Sequence, residues 1–288
     1  MLSQPREKIT TEDGCSIAVY VTGNESGPTL VLANGLGGCL DAWDNLVSFF
    51  SARYRIVSWD YRGLYASGAP EDRENLSMEV HIRDALAVLD AMNIEKAVFL
   101  GWSMGVQVNF EIARARPEVI EGIVAINGTY TSPFKTVFHS GVPDPVPELA
   151  CMGLKKIAPL IPYSGPFLEA FDYGLPVIRA LGLVSEDVRG DIFRELIKDY
   201  LTLDFEIYAN ILKGLADHDS ADFLPKIEAP CLILAGENDF LTPARCSRTM
   251  AALIPQSICH VLPGATHYSP MECPEVINQL IDEFLTTS

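Results

Sequence analysis

Six short apolar runs, each bounded by turn-forming residues, limit what this chain can become more than any other feature. They span 29–33, 55–59, 97–100, 122–126, 231–234 and 258–262. Most are continuous rather than alternating. Strands covered on both faces read this way, and such strands belong to parallel sheets flanked by helices. Segments of helical length lie between them. Residues 77–92 place Val80, Ala85, Val88 and Met92 at helical spacing, and 104–116 is closed by Pro117, which cannot continue a helix. Residues 274–285 carry a stripe of Val276, Ile277, Leu280, Ile281 and Phe284. The alternation predicts an α/β domain with a mostly parallel central sheet. The rhythm breaks between 131 and 222, where prolines and short helical pieces such as 193–203 replace strands. The expected organisation is therefore a core of 1–130 and 223–288, with a mostly helical insertion over 131–222.

Composition narrows the function. The chain has 288 residues, 48% of them hydrophobic, enough for a large buried core. It carries 21 basic and 38 acidic residues, a net charge of −17. So acidic a chain repels phosphate backbones and anionic lipid, which argues against a nucleic-acid partner. No stretch reaches the roughly 18 apolar residues of a spanning helix, so no membrane insertion is expected. The N-terminal residues lack the apolar core of a signal peptide. The seven cysteines are odd in number and none form a CxxC pair, which argues against a zinc cage or a disulfide framework. A reducing, cytoplasmic setting is the simplest expectation. No metal or cofactor motif is present, and none is expected.

The sharpest chemical feature is Gly101-Trp102-Ser103-Met104-Gly105, placed between an apolar strand and a helical segment. As a bare pattern it is weak. Strand, sharp turn and helix together make it a nucleophile elbow, in which small flanking residues relieve crowding and the serine is presented at a helix N-terminus. Its structural alternative is a glycine-rich turn with an exposed serine.

A serine hydroxyl needs a base. Of five histidines, His81 reads as a solvated helical residue, His139 and His218 as surface or packing residues of the insertion, and His260 as part of a strand. His267 lies just beyond the last strand, where open α/β sheets gather ligand groups. The base also needs a carboxylate to orient it. Asp239, in the loop after the 231–234 strand, is the candidate, and Glu237 is its local rival. A histidine base predicts that activity falls as acid protonates the imidazole. The oxyanion of a tetrahedral intermediate needs two donors. The backbone N–H of Met104 is one, and that of Leu36 in Asn34-Gly35-Leu36-Gly37-Gly38 is the other. The side chains of Leu36, Trp102 and Met104 are expected to line a substrate pocket, with plain core packing as the alternative.

Taken in order, the glycine loop 34–38, Asp60-Tyr61-Arg62-Gly63, the elbow at Ser103, the Asp239 loop and the His267 loop resemble the α/β-hydrolase superfamily across nearly the whole chain. The resemblance is to its cap-bearing group of esterases, lactonases, C–C bond hydrolases and cofactor-free perhydrolases. It implies an α/β-hydrolase fold, a catalytic triad of Ser103, Asp239 and His267, and a helical cap formed by 131–222. It also implies a small-molecule ester substrate, hydrolysed through an acyl-enzyme and without a cofactor. Apolar insertion residues, among them Leu149, Met152, Leu154, Ile157, Leu160, Ile161, Phe167, Phe171 and Tyr173, suggest a small to medium apolar substrate. Three departures stand out: Asn34 replaces the usual loop histidine, Tyr65 stands at a usual glycine, and Trp102 precedes the nucleophile where many relatives have histidine. A dinucleotide-binding reading fails because Leu40 occupies the third glycine position. Dehalogenases and epoxide hydrolases would place an aspartate at the elbow. A binding protein of the same fold, with little turnover, is the remaining alternative of a different class.

Overall fold

All six apolar runs form strands. In the computed structural model β3 (Thr29–Ala33) and β4 (Arg55–Trp59) coincide with their runs, whereas β5 (Ala97–Trp102), β6 (Ile120–Ile126), β7 (Cys231–Gly236) and β8 (Ser257–Leu262) extend slightly further. The structure describes residues 4–137, 152–153, 155–156, 175–176, 178–180, 182–186, 188 and 190–287. Two strands lie outside the expected set. They are β1 (Glu7–Thr10), a mostly exposed polar edge, and β2 (Ser16–Gly23), whose apolar run Ile17 to Val21 is bounded by Ser16 and Thr22. They pair antiparallel with each other, and β2 pairs antiparallel with β4.

The sheet runs β1-β2-β4-β3-β5-β6-β7-β8, and every pairing from β4 onward is parallel. The chain leaves β3 for β4 on one side and returns to β5 on the other. At such a reversal the loops after adjacent strands diverge and leave a crevice at their C-terminal ends. Asn34 to Gly38 follows β3 and Ser103 follows β5, so this topology puts the glycine loop beside the elbow.

Successive strand residues face opposite layers. Val31, Ala33 and Phe99 pack with Val108 and Ile112 on one face, and Leu30, Leu32 and Leu100 pack with Phe50, Ile281 and Phe284 on the other. Both faces are covered by helices, which is why the runs read as continuous apolar stretches rather than alternating ones. Helices occupy Met78–Ala91, Met104–Ala115 and Pro274–Thr287, close to the expected bounds. His81 departs from expectation. It is buried against Tyr61, with ring centroids 5.3 Å apart, because its helix turns this side toward the sheet. Burial, with the nearby Arg62 charge, drives its imidazole down to about 3, so it stays neutral.

Within 131–222 the regular elements among the described residues are helices. They include Pro133–Val137, Gly190–Tyr200 and Phe205–Ala216. The expected 193–203 helix starts and ends three residues early. The next helix is capped by Asp204, whose side chain accepts from the N–H groups of Glu206 and Ile207. Thr131 bridges Asp219, so the two ends of the stretch meet. His139, Leu149, Leu154, Ile157, Leu160, Ile161, Phe167, Phe171 and Tyr173 lie outside the described residues, and Met152 is half exposed.

Candidate active site

Ser103 sits between β5 and the Met104–Ala115 helix with φ 55° and ψ −117°. This is a strained conformation for a residue with a side chain, at a cost of about 1–3 kcal/mol. The surroundings enforce it. A Cβ on Gly101 would lie 2.5 Å from the Gly105 carbonyl, and one on Gly105 would lie 2.0 Å from the Ala33 oxygen. Larger residues at either flank would push the turn off the sheet. The Ser103 N–H donates to the Ile126 oxygen at 3.0 Å and ties the turn to β6.

The chain brings Ser103, His267 and Asp239 together. His267 Nε2 lies 3.0 Å from Ser103 Oγ, and His267 Nδ1 lies 2.8 Å from Asp239 Oδ2. Asp239 Oδ1 accepts from the N–H groups of Leu241 and Thr242, and Oδ2 also accepts from Asn127 Nδ2 and Thr242 Oγ1. Burial pushes the Asp239 carboxyl up. The His267 charge and hydrogen bond, helped by Thr242 and Asn127, outweigh it and hold the group below the usual carboxylate range. An ionised Asp239 assigns the Nδ1 proton to His267, which leaves Nε2 free to accept from the serine hydroxyl. Glu237, the rival carboxylate, accepts instead from the Gly264 N–H at 3.0 Å.

The two expected oxyanion donors flank this serine. Among the described residues, neither the Leu36 nor the Met104 N–H has an acceptor. A Cβ on Gly35 would be 3.3 Å from Ser103 Cβ, so only a bare backbone lets the loop come so near. Asn34 fills the histidine position with two bonds of its own. Its Nδ2 donates to the Trp59 carbonyl and its Oδ1 accepts from Trp43 Nε1, each at 2.8 Å. Tyr65 keeps the turn normally made with glycine by taking φ 48°. Its hydroxyl donates to the Gly37 carbonyl. Trp102 donates from Nε1 to the His267 carbonyl at 2.9 Å and so braces the base loop.

A cavity of about 450 Å³ opens over Ser103 and His267. The core supplies Leu36, Trp102, Leu241 and Tyr268, and the 131–222 stretch supplies Phe134, Tyr200, Tyr208, Leu212 and Leu215. No lysine or arginine is among the described lining residues. The expectation for Met104 needs correction. Its side chain is buried in the core beside the sheet, packed with Val108 and Ile112 of its own helix, and is absent from this lining. A second apolar cavity, about 230 Å³, shares Phe240, Leu241, His267 and Tyr268 with the first.

Sequence reasoning missed Asn127 and Thr242. Asn127 follows β6 with φ 45°, bonds both Asp239 and the Thr266 carbonyl, and accepts from Ser269 Oγ. An Asn-Gly pair directly after a buried strand was the available signal. Among the described residues Cys39, Asp41 and Asp199 are the one group spaced closely enough to share a cation, and they line a different cavity from that of Ser103.

The sequence profile described as "Alpha/beta hydrolase family" matches residues 30–280. The chain is similar to 3-oxoadipate enol-lactonase 1 of Acinetobacter baylyi, at 27% identity over 96% of each chain. Its fold is similar to that of a hydrolase from Pseudomonas aeruginosa (25% identity, 97% of each chain, TM-score 0.78). It is similar also to that of a thermophilic esterase from Thermogutta terrifontis (25% identity, 98% of each chain, TM-score 0.74).

Proposed function

This chain belongs to the alpha/beta hydrolase family, and on that premise we propose that it is a serine hydrolase of carboxylesterase type, cleaving esters with a small to medium apolar acyl group. The observation that carries the reading is the continuous relay from Ser103 Oγ through His267 to an ionised Asp239, opening into an apolar cavity.

The steps follow from that geometry. An ester carbonyl carbon above Ser103 is attacked by Oγ while His267 Nε2 takes the hydroxyl proton. Asp239 holds the imidazole in the tautomer that permits this and steadies the imidazolium. The carbonyl oxygen gains charge between the Leu36 and Met104 N–H groups, at the helix N-terminus. His267 then returns its proton to the leaving alcohol oxygen. Water, deprotonated by the same nitrogen, releases the acid from the acyl-enzyme.

The lining supports the substrate class. A carboxylate or phosphate placed in the larger cavity would meet no lysine or arginine among the described residues, so a neutral acyl group is favoured. The smaller cavity across Tyr268 accommodates the alcohol part. We assign residues 131–222 the role of a cap, because Phe134, Tyr200, Tyr208, Leu212 and Leu215 come from it. A reducing cytoplasm suits six free cysteines among the described residues.

The experiment is a panel of p-nitrophenyl esters of graded acyl length, run beside a neutral lactone and a vinylogous diketone. Turnover of two- to eight-carbon esters is expected. Ser103→Ala should lower kcat by on the order of 10⁴–10⁶-fold while its circular dichroism stays unchanged. Ester turnover that survives this substitution, or cleavage of the diketone alone, would overturn the assignment.

A further inference from the structure

We propose that Tyr65 and Tyr200 are positioning residues which hold the 34–38 loop so that the Leu36 N–H faces the oxyanion. The inference rests on the serine hydrolase reading and deepens it by naming what aligns the oxyanion hole.

The loop reads Asn34-Gly35-Leu36-Gly37-Gly38, with three glycines in its last four residues. Glycine lets the backbone approach Ser103, but it also lets peptide planes turn freely. A donor for a transition-state charge must be fixed before the charge forms. Something outside the loop must therefore supply the rigidity that its own sequence lacks.

Four successive carbonyls of the loop are each tied to a donor. Asn34 O accepts from the Tyr61 hydroxyl at 2.7 Å, and Gly35 O accepts from the Gly38 N–H at 2.9 Å. Leu36 O accepts from the Tyr200 hydroxyl at 3.0 Å, and Gly37 O accepts from the Tyr65 hydroxyl. The peptide joining Gly35 and Leu36 is trans, so its N–H points opposite to the bonded Gly35 carbonyl. Turning that N–H away would require neighbouring planes to turn with it. The Tyr200 and Tyr65 bonds oppose this at the next two carbonyls.

Two further observations single out this pair. Tyr65 holds φ 48°, where glycine is at ease and a tyrosine is strained. Such strain persists where the surroundings demand it, and the Tyr65 hydroxyl on Gly37 O is a demand that glycine could not meet. Gly37 has φ 77°, and a Cβ there would lie 2.6 Å from Tyr200 Cε1 and 3.0 Å from Tyr208 Cε2. The missing side chain is thus the space through which the Gly190–Tyr200 helix reaches the loop. Burial also pushes the Tyr65 and Tyr200 hydroxyls well above the ordinary phenol range, so both remain donors at any working pH.

The test uses the full chain with Tyr65→Phe, Tyr200→Phe and the double variant, which delete only hydroxyls. With a short-chain p-nitrophenyl ester, each single variant should lose about tenfold in kcat with KM within twofold. Inhibition by an alkyl boronic acid, whose serine adduct places a charged oxygen in the hole, should weaken by the same factor. Tyr65→Gly, which relieves the strain but deletes the hydroxyl, should show the same loss in kcat even where its Tm does not fall. Kinetics like those of the intact chain, a change in KM alone, or full kcat in Tyr65→Gly would overturn the inference. An intact chain that turned over no ester would instead overturn the hydrolase reading beneath it. An active chain with unaffected variants would overturn only the role of the two tyrosines.

Discussion

Asp239 accepts five hydrogen bonds, counting His267, and their direction decides what a substitution does. An asparagine there would bring an NH₂ against donors or rotate it toward backbone N–H groups. The second sets NH₂ against two backbone donors, so the first prevails, and an NH₂ donating to His267 Nδ1 fixes the wrong imidazole tautomer. Asp239→Asn is therefore expected to lower kcat by about 10⁴-fold, read by steady-state ester hydrolysis. Glu237→Gln should stay within about threefold, since the Gly264 N–H still finds an oxygen acceptor. If Glu237→Gln is the damaging change, the wrong carboxylate has been assigned. Asn127→Ala removes donors from both Asp239 and the Thr266 carbonyl and should cost about 1–3 kcal/mol of stability in urea unfolding. An unchanged urea midpoint would show those bonds to be idle. Ser103, Asp239 and His267 could be found in the sequence because each follows a recognisable strand and their order is informative. Asn127 and Thr242 could not. Asn127 acts on Asp239 from 112 residues away and Thr242 is tied to the Asn127 carbonyl across 115, so beyond the Asn-Gly pair little in the local sequence marks their role.

The loop after β4 shows how an element can keep its shape with unusual residues. Tyr65 replaces a glycine by accepting a left-handed backbone, and Asp60, at the strand end, is wholly buried. Burial pushes the Asp60 carboxyl up to about 6, although the Tyr20 hydroxyl and the Ala66 N–H both bond it. Below the ordinary aspartate value of 3.8 both folded and unfolded chains hold this proton. Between there and about 6 the folded chain holds it and the unfolded chain has lost it, so stability drains away as pH rises through the window and is level above it. Asp60→Asn keeps an acceptor for Tyr20 and Ala66 and removes the titration. The difference in unfolding free energy between variant and parent should move in the variant's favour by about 2–3 kcal/mol from pH 4 to pH 8. Parallel stability curves would contradict this. The sequence revealed the parallel strands because burial on both faces leaves a continuous apolar run. It concealed β1, whose edge position allows polar residues, and β2, an internal antiparallel strand with a single short apolar run, and it concealed the buried face of His81, which depends on which way the helix is turned.

At the scale of the molecule, a sheet reversal supplies the nucleophile and the 34–38 loop, while the 131–222 stretch supplies much of the cavity wall. Among the described residues no helix is long and apolar enough to cross a membrane. Cavity size should set acyl preference. Leu212, on the Phe205–Ala216 helix, faces the cavity, and Leu212→Trp should fill part of its roughly 450 Å³. Hydrolysis of hexanoate and octanoate esters should fall at least tenfold in kcat/KM, with acetate within about threefold. A uniform loss across acyl lengths would place the acyl group elsewhere. The break in strand rhythm over 131–222 matches the structure in one respect, that among the described residues no named strand lies between β6 and β7. The cavity lining was not legible, because a side chain's turn toward core or cavity depends on packing, as Met104 shows.

The most direct measurement is intact-protein mass spectrometry after incubation with an alkyl fluorophosphonate, followed by peptide mapping. The account predicts one adduct per chain, located on Ser103, absent from Ser103→Ala and slowed in Asp239→Asn. An unreactive parent chain, or equal labelling of the Ser103→Ala protein, would contradict it.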